Sequence, residues 1–310
     1  MGFLPESADL MTKLHARTIA LVGLGLISGS LARALKAAGW DGKLIAWGPR
    51  EPSLQRGLEL GVIDDYSLVL SDVVDHADMI VVGAPPIATA EVLNTIMTHV
   101  AETEHQPIIT DLASIKGFVV DGMSVDYPRF VPGHPIAGSE HSGVAHADAR
   151  LFEGREVILT PLDTTDGSAV DMVSAMWELT GAYIRKMPVG AHDAMLAASS
   201  HMPHIVSYAL TGALERDEAD PMVHGGGALR DMTRIAGSDP LMWTDIAITN
   251  REALLEAIDQ FEAEMTLLRA MVDTQDAEAM RSYFSTCRAH RRAHDNILNP
   301  LLQSTQEETS

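Results

Sequence analysis

The residue best suited to proton transfer is His134, held between Gly133 and Pro135 in the run PGHPIAGSE at 132–140. An imidazole with an ordinary pKa of about 6.5 accepts a proton at neutral pH, and a glycine and a proline on either side restrict where it points. Most histidines do no chemistry, so a purely structural His134 stands beside the general-base reading. Ser114, in DLASIK at 111–116, is either the N-cap of a following helix or a hydroxyl offered to a substrate. After Gly225–Gly227, Arg230 and Arg234 lie one helical turn apart, with Asp231 one turn before Arg234. An arginine presents a planar fork to a carboxylate. An internal Asp231–Arg234 pair is the alternative, and it is compatible with a ligand role. His201 and His204, three apart in SSHMPH, share a helix face if the helix survives Pro203. A metal site would need a carboxylate or cysteine to complete the ligand set, and none is nearby; a histidine donating to a substrate fits better. His141 and His146 read as surface residues, and Cys287 as a small buried hydrophobe.

These residues need a scaffold, and the stretch TIALVGLGLISGSLARAL at 18–35 supplies its start. A buried-strand run meets Gly23-Leu24-Gly25 and passes into a helical pattern through Leu26 and Ile27, the opening of a dinucleotide-binding βαβ unit. Gly23 permits the turn, and Gly25 lets the backbone approach a pyrophosphate at the helix N-terminus. Ser28 stands where the fingerprint has its third glycine, at some cost in close helix–strand packing. The second strand, 43–47, ends in Trp-Gly-Pro-Arg-Glu without the acid that commonly holds the NAD ribose. Arg50 is either a solvated loop residue or a partner for adenine or a 2′-phosphate, so NADP is admitted alongside NAD.

Further strands at 78–82, 107–110, 129–131, 155–160 and 182–187, separated by helical stretches, predict an α/β fold with a doubly wound, mainly parallel sheet. Ligands of such sheets sit at the carboxyl ends of the strands. The segments 23–25, 83–86 (with Ala84 and Pro85), 111–116 and 133–140 converge there, the last of them as a loop. After Pro188 the strand signal ends and apolar periodicity of 3.6 takes over. The expected organisation is an extension at 1–16, a dinucleotide-binding domain at 17–188, a helical substrate-binding and dimerisation domain at 189–302, and a polar tail at 303–310. One long helix over 246–271 carries an apolar stripe for core packing or subunit association.

A net charge of −21 opposes binding to nucleic acid and to anionic membranes. No apolar run approaches the ~18 residues of a membrane span, and the N-terminus has no signal-peptide pattern. The single cysteine fits a reducing compartment. A cytoplasmic location is expected.

GLGLISGS at 23–30, DLASIK at 111–116, GHPIAGSEHSG at 133–143, SHMPH at 200–204 and LRDMTRIA at 229–236 together resemble the prephenate/arogenate (cyclohexadienyl) dehydrogenases of tyrosine biosynthesis. The resemblance implies NAD(P)-dependent oxidative decarboxylation of prephenate, arogenate or both. It gives His134 the proton of the substrate's 4-hydroxyl, Ser114 a hold on the same hydroxyl, and Arg234 the ring carboxylate, with Asp231 orienting it. It carries pocket-lining or gating roles onto His201, Ser139, Glu140 and Trp243, the last of which alone reads as core. It also implies a homodimer joined through the helical domains, and no feedback through an appended regulatory domain. A β-hydroxyacid dehydrogenase-like reductase is a rival, but such enzymes generally use a lysine in the helical part, and 189–302 contains none. A non-catalytic dinucleotide sensor is the second rival.

Overall fold

The computed structural model describes residues 5–138, 141–216 and 219–298. Two compact units divide the chain, one up to Leu254 and one from Leu255 onward.

The first unit is built on strands β1 (Thr18–Val22), β2 (Lys43–Trp47), β3 (Asp65–Ser67), β4 (Met79–Val82), β5 (Ile108–Asp111) and β6 (Phe130–Val131). They form one six-stranded sheet in the order β3-β2-β1-β4-β5-β6, with every pairing parallel. β4 and β5 are buried at every position, as strands covered on both faces by helices must be. Alternate side chains feed two cores: Ile19 and Leu21 join Leu31, Met79 and Trp177 on one face, while Ala20 and Val22 join Ile80, Leu93 and Phe130 on the other. The chain runs outward from β1 to β3 and then returns to place β4 on the other side of β1. Ligands of open α/β sheets bind at such a reversal, and it sets Gly23–Gly25 beside Gly83–Pro85.

The segment around His134 is not a loop. Gly133–Pro135 forms β7 of a separate three-stranded sheet, β7-β8-β9, with β8 at Glu156–Leu159 and β9 at Tyr183–Lys186. His134 pairs antiparallel with Ile158. A glycine and a proline in three residues hide a strand from any reading by propensity.

From Val189 the unit is helical. Helix Val189–Leu196 continues through a π-helical turn, Ala197–His201, into helix Met202–Glu215. Pro203 cannot donate a hydrogen bond to the preceding turn, and the widened turn absorbs the defect. The single helix expected over 246–271 is two, Pro240–Thr249 and Arg251–Asp273, parted at Asn250. Asn250 is itself buried and turned to a task inside the first unit.

The second unit contains the remainder of helix Arg251–Asp273, helix Ala277–Ala293 and the turn Asp295–Leu298. Tyr283 donates to Glu264 at 2.6 Å, tying the two long helices together. Met265, Leu267 and Phe284 are exposed on it. Cys287 is exposed as well, contrary to the expectation of a buried hydrophobe; the basic, polar helix that carries it buries no residue. No helix among the described residues is long and apolar enough to cross a membrane.

Candidate active site

Gly23 has φ +95°, and a Cβ there would lie 2.3 Å from the Gly83 carbonyl oxygen. Glycine is required both by the backbone angle and by the contact. At Gly25 a Cβ would meet nothing within 4 Å, so the space a pyrophosphate needs lies open there. Helix Leu26–Ala37 starts at Gly25 with no side-chain cap and no acid in its first turn. Its free N–H groups and dipole are therefore left to an anion. Ser28 does not loosen the packing: its Oγ occupies the place where a Gly83 Cβ would sit, 2.2 Å from that position. The close approach is kept by a glycine on the strand end rather than on the helix. Leu26 and Ile27 are half-buried in the first turn, Ala84 and Pro85 follow β4, and Arg50 is exposed just past β2. These residues fit a dinucleotide.

The second part of the site surrounds His134. Lys116 is fully buried, its Nζ bonded to the Asp111 carboxylate and donating to the Gly133 carbonyl at 2.7 Å. Asp111 Oδ1 accepts the Gly133 N–H at 3.1 Å. The buried ion pair thus grips both polar groups of the residue before His134. Burial pulls the Lys116 ammonium below its ordinary range, and Asp111 opposes that shift. His134 Nδ1 lies 3.0 Å from His192 Nε2, and His192 Nδ1 lies 2.7 Å from Asp193 Oδ1. Asp193 also accepts the N–H groups of Lys116 and Gly117, at 2.9 and 2.7 Å. Burial pushes its carboxyl up, but His192 and these two N–H groups outweigh the penalty and hold it below the usual range. Asp193, not Ser114, caps the short helix at Gly117–Asp121; Ser114 makes no hydrogen bond among the described residues and is half-buried beside the cluster.

His134 Nε2 has no hydrogen-bond partner among the described residues. Burial drives its imidazolium well below the ordinary range, and His192, Lys116 and His201 add to the effect. His201 is buried, and burial pulls its pKa to about 4 despite the opposing charge of Asp193. Asn250 Nδ2 donates to the Asp193 carbonyl at 3.0 Å and faces His201 Nδ1 at 3.1 Å. The amide N–H makes His201 Nδ1 an acceptor, so its proton sits on Nε2 and can be donated. Trp243 is buried between the two histidines of the SSHMPH run: His204 stacks on it at 3.4 Å and His201 meets it edge-on at 6.2 Å. Arg234 is exposed, near enough to His204 to help lower its pKa below the ordinary value after burial, the larger cause. With Leu229, Arg230 and Thr233 it lines a cavity of about 300 Å³. Asp231 pairs with Arg230 at 3.1 Å and not with Arg234 as expected, because the adjacent guanidinium reaches it first on the exposed face. Ser139 and Glu140 lie outside the described residues. His141 and His146 are exposed and stack on each other. Among the described residues no group of three or more His, Cys, Asp or Glu is arranged to hold a metal.

The sequence reading missed His192, Asp193, Asn250 and the Asp111–Lys116 pair. A histidine followed by an aspartate is an ordinary helical dipeptide, and nothing in its neighbours announces that it is buried against a strand 58 residues away.

Comparison with known proteins agrees with this geometry. The family model described as the prephenate dehydrogenase nucleotide-binding domain matches residues 31–186, and the prephenate dehydrogenase dimerization domain matches 189–286. Prephenate dehydrogenase of Bacillus subtilis is 37% identical over 280 residues, covering 88% of this chain and 75% of that protein. Cyclohexadienyl dehydrogenase of Zymomonas mobilis is 33% identical, covering 89% and 95%. The crystal structure of A. aeolicus prephenate dehydrogenase, in complex with hydroxyphenyl propionate and NAD+, superposes with a TM-score of 0.84 at 31% identity and covers 90% of this chain and 98% of its own. With an uncapped glycine turn at the switch point of a parallel sheet and a buried histidine cluster beside it, the chain belongs to the prephenate dehydrogenase family.

Proposed function

We propose that this chain catalyses the NAD-dependent oxidative decarboxylation of prephenate to 4-hydroxyphenylpyruvate, of arogenate to tyrosine, or of both. It is a dehydrogenase, and NAD is its cofactor. The observation that carries the reading is His134: a neutral imidazole with an unpartnered Nε2, on a strand gripped by a buried ion pair, next to a dinucleotide cradle.

A bound NAD would supply the hydride acceptor for the substrate's C4. His134 Nε2 takes the 4-hydroxyl proton as that carbon becomes a carbonyl, and Ser114 holds the same oxygen so that the geometry is preset. The C1–carboxylate bond then breaks, its electron pair aromatises the ring, and His134 returns the proton to the phenolate oxygen. Carbon dioxide leaves, and no net proton is consumed. Arg234 binds the ring carboxylate, Asp231 assists it, Ser139 and Glu140 take the substrate-binding roles that the resemblance implies, and His201 donates from Nε2, with Trp243 backing it. Gly23, Gly25, Leu26, Ile27, Ala84 and Pro85 hold the dinucleotide, and Arg50 sets its tolerance for a 2′-phosphate. The domains divide at 188/189, the helical part joins two copies into a homodimer, and the enzyme works in the cytoplasm on a small molecule rather than on nucleic acid or membrane.

The test is the appearance of reduced nicotinamide with prephenate and arogenate offered separately, each with NAD and with NADP. Turnover in at least one combination is expected; cofactor binding without turnover in all four would favour a dinucleotide sensor instead.

A further inference from the structure

Asp193, His192 and His134 form a hydrogen-bonded chain whose direction can be read. The Asp193 carboxylate is held ionised by two backbone N–H groups, so it can only accept, and His192 must place its proton on Nδ1 to reach it at 2.7 Å. With that proton on Nδ1, the His192 imidazole presents a lone pair at Nε2. Across the 3.0 Å contact, His134 must donate from Nδ1. Its own lone pair is thereby fixed on Nε2, the nitrogen with no partner among the described residues. His192 is wholly buried and touches no solvent, and water therefore cannot replace it as the acceptor. The other groups facing this chain are His201 from the π-helical turn, which Asn250 and burial keep neutral, and Lys116, engaged with Asp111 and Gly133.

We infer that His192 and Asp193 are positioning residues that hold His134 in the Nδ1–H tautomer, with Nε2 poised as the base, and that they spread the positive charge when Nε2 takes the substrate proton. This rests on the reading of His134 as the base. The arrangement resembles a triad's orienting carboxylate with a second imidazole inserted, and a wrong tautomer in such systems costs orders of magnitude in rate.

Long-range proton–nitrogen correlation NMR on the full chain, with histidines labelled and assigned by His134→Asn and His192→Leu, reads the tautomer directly. The expected result is a protonated Nδ1 and a bare Nε2 on His134 in the wild type; a proton on Nε2 overturns the inference. In kinetics, His192→Leu is expected to lower kcat about a hundredfold with KM and NAD affinity within about twofold. His192→Gln, whose carbonyl can accept from Nδ1, should recover at least about tenfold of that loss, which a merely structural role would not predict. Unchanged kcat in His192→Leu, or equal losses in both variants, overturns it. Full activity in His134→Asn would instead remove the base reading, while the wild-type NMR measurement still decides the relay, including the case where His192→Leu does not fold.

Discussion

Around Gly23–Gly25 the protein leaves side chains out, whereas around His134 it buries them. The cradle consists of backbone N–H groups, an uncapped helix end and an open space where a Cβ would stand. Its specificity comes from local conformation, and neighbouring residues in the chain create it. The histidine cluster gathers groups from β5, β7, the π-helical turn and the helix before it, and burial lowers the proton affinity of Lys116, His134 and His201. A cradle of backbone tolerates few substitutions but needs no charge tuning. A cluster of titratable groups tolerates conservative substitution sterically and is governed by electrostatics. The lesson is that the proposed site has two kinds of fragility, steric at the glycine turn and protonic at the histidine cluster.

The largest test of that contrast is His134→Asn, which keeps size and polarity but removes the proposed base. Loss of ~10²–10⁴-fold in kcat is expected, with NAD affinity unchanged by fluorescence titration; a parallel loss of NAD binding would mean that the two halves are not separable.

The next is the pH dependence of stability. His201 has a folded pKa of about 4 against 6.5 for the free side chain. Above 6.5 it is neutral in both states and costs nothing; as pH falls from 6.5 toward 4 only the unfolded chain gains the proton, so stability falls in that window. The loss is on the order of 3 kcal/mol, and urea denaturation of His201→Gln should show a shallower slope there, the remainder belonging to His134 and His204, whose pKa values burial also lowers.

On the cofactor side, Gly23→Ala and Gly25→Val should fail differently. The first strains a positive φ and drives a methyl into a backbone carbonyl, costing about 2 kcal/mol or more of stability in thermal melts. The second meets no protein atom and should melt like the wild type, yet weaken NAD binding at least ~10-fold. Equal melting temperatures for both would contradict the geometry of the turn.

The smallest effect concerns Ser28 and Gly83. Gly83→Ala overpacks against Ser28 Oγ and should cost about 1–3 kcal/mol, and adding Ser28→Gly should return roughly 1 kcal/mol of it. Strict additivity in this double-mutant cycle would show that the two residues do not share the space.

The fate of each sequence expectation follows from the range of the interactions behind it. The βαβ opening, the parallel sheet and the switch to helices after Pro188 were legible because apolar periodicity and glycine placement act within a few residues. His134 was legible as a residue but not as a strand residue, since its pairing with Ile158 spans a long stretch of chain. Ser114 looked like a cap because its neighbours look like a helix start, yet the cap arrives from Asp193 in another helix. The break at Asn250 interrupts an apolar stripe that reads as continuous, because the residue serves Asp193 and His201 rather than its own helix.

The sequence by itself determined the scaffold, the cofactor turn and the identity of the candidate base. Only the tertiary structure decided which nitrogen of that base is free, which histidines stay neutral and which acid orients them. Proton positions depend on burial and on hydrogen-bond partners far apart in the chain, and neither is encoded in local pattern.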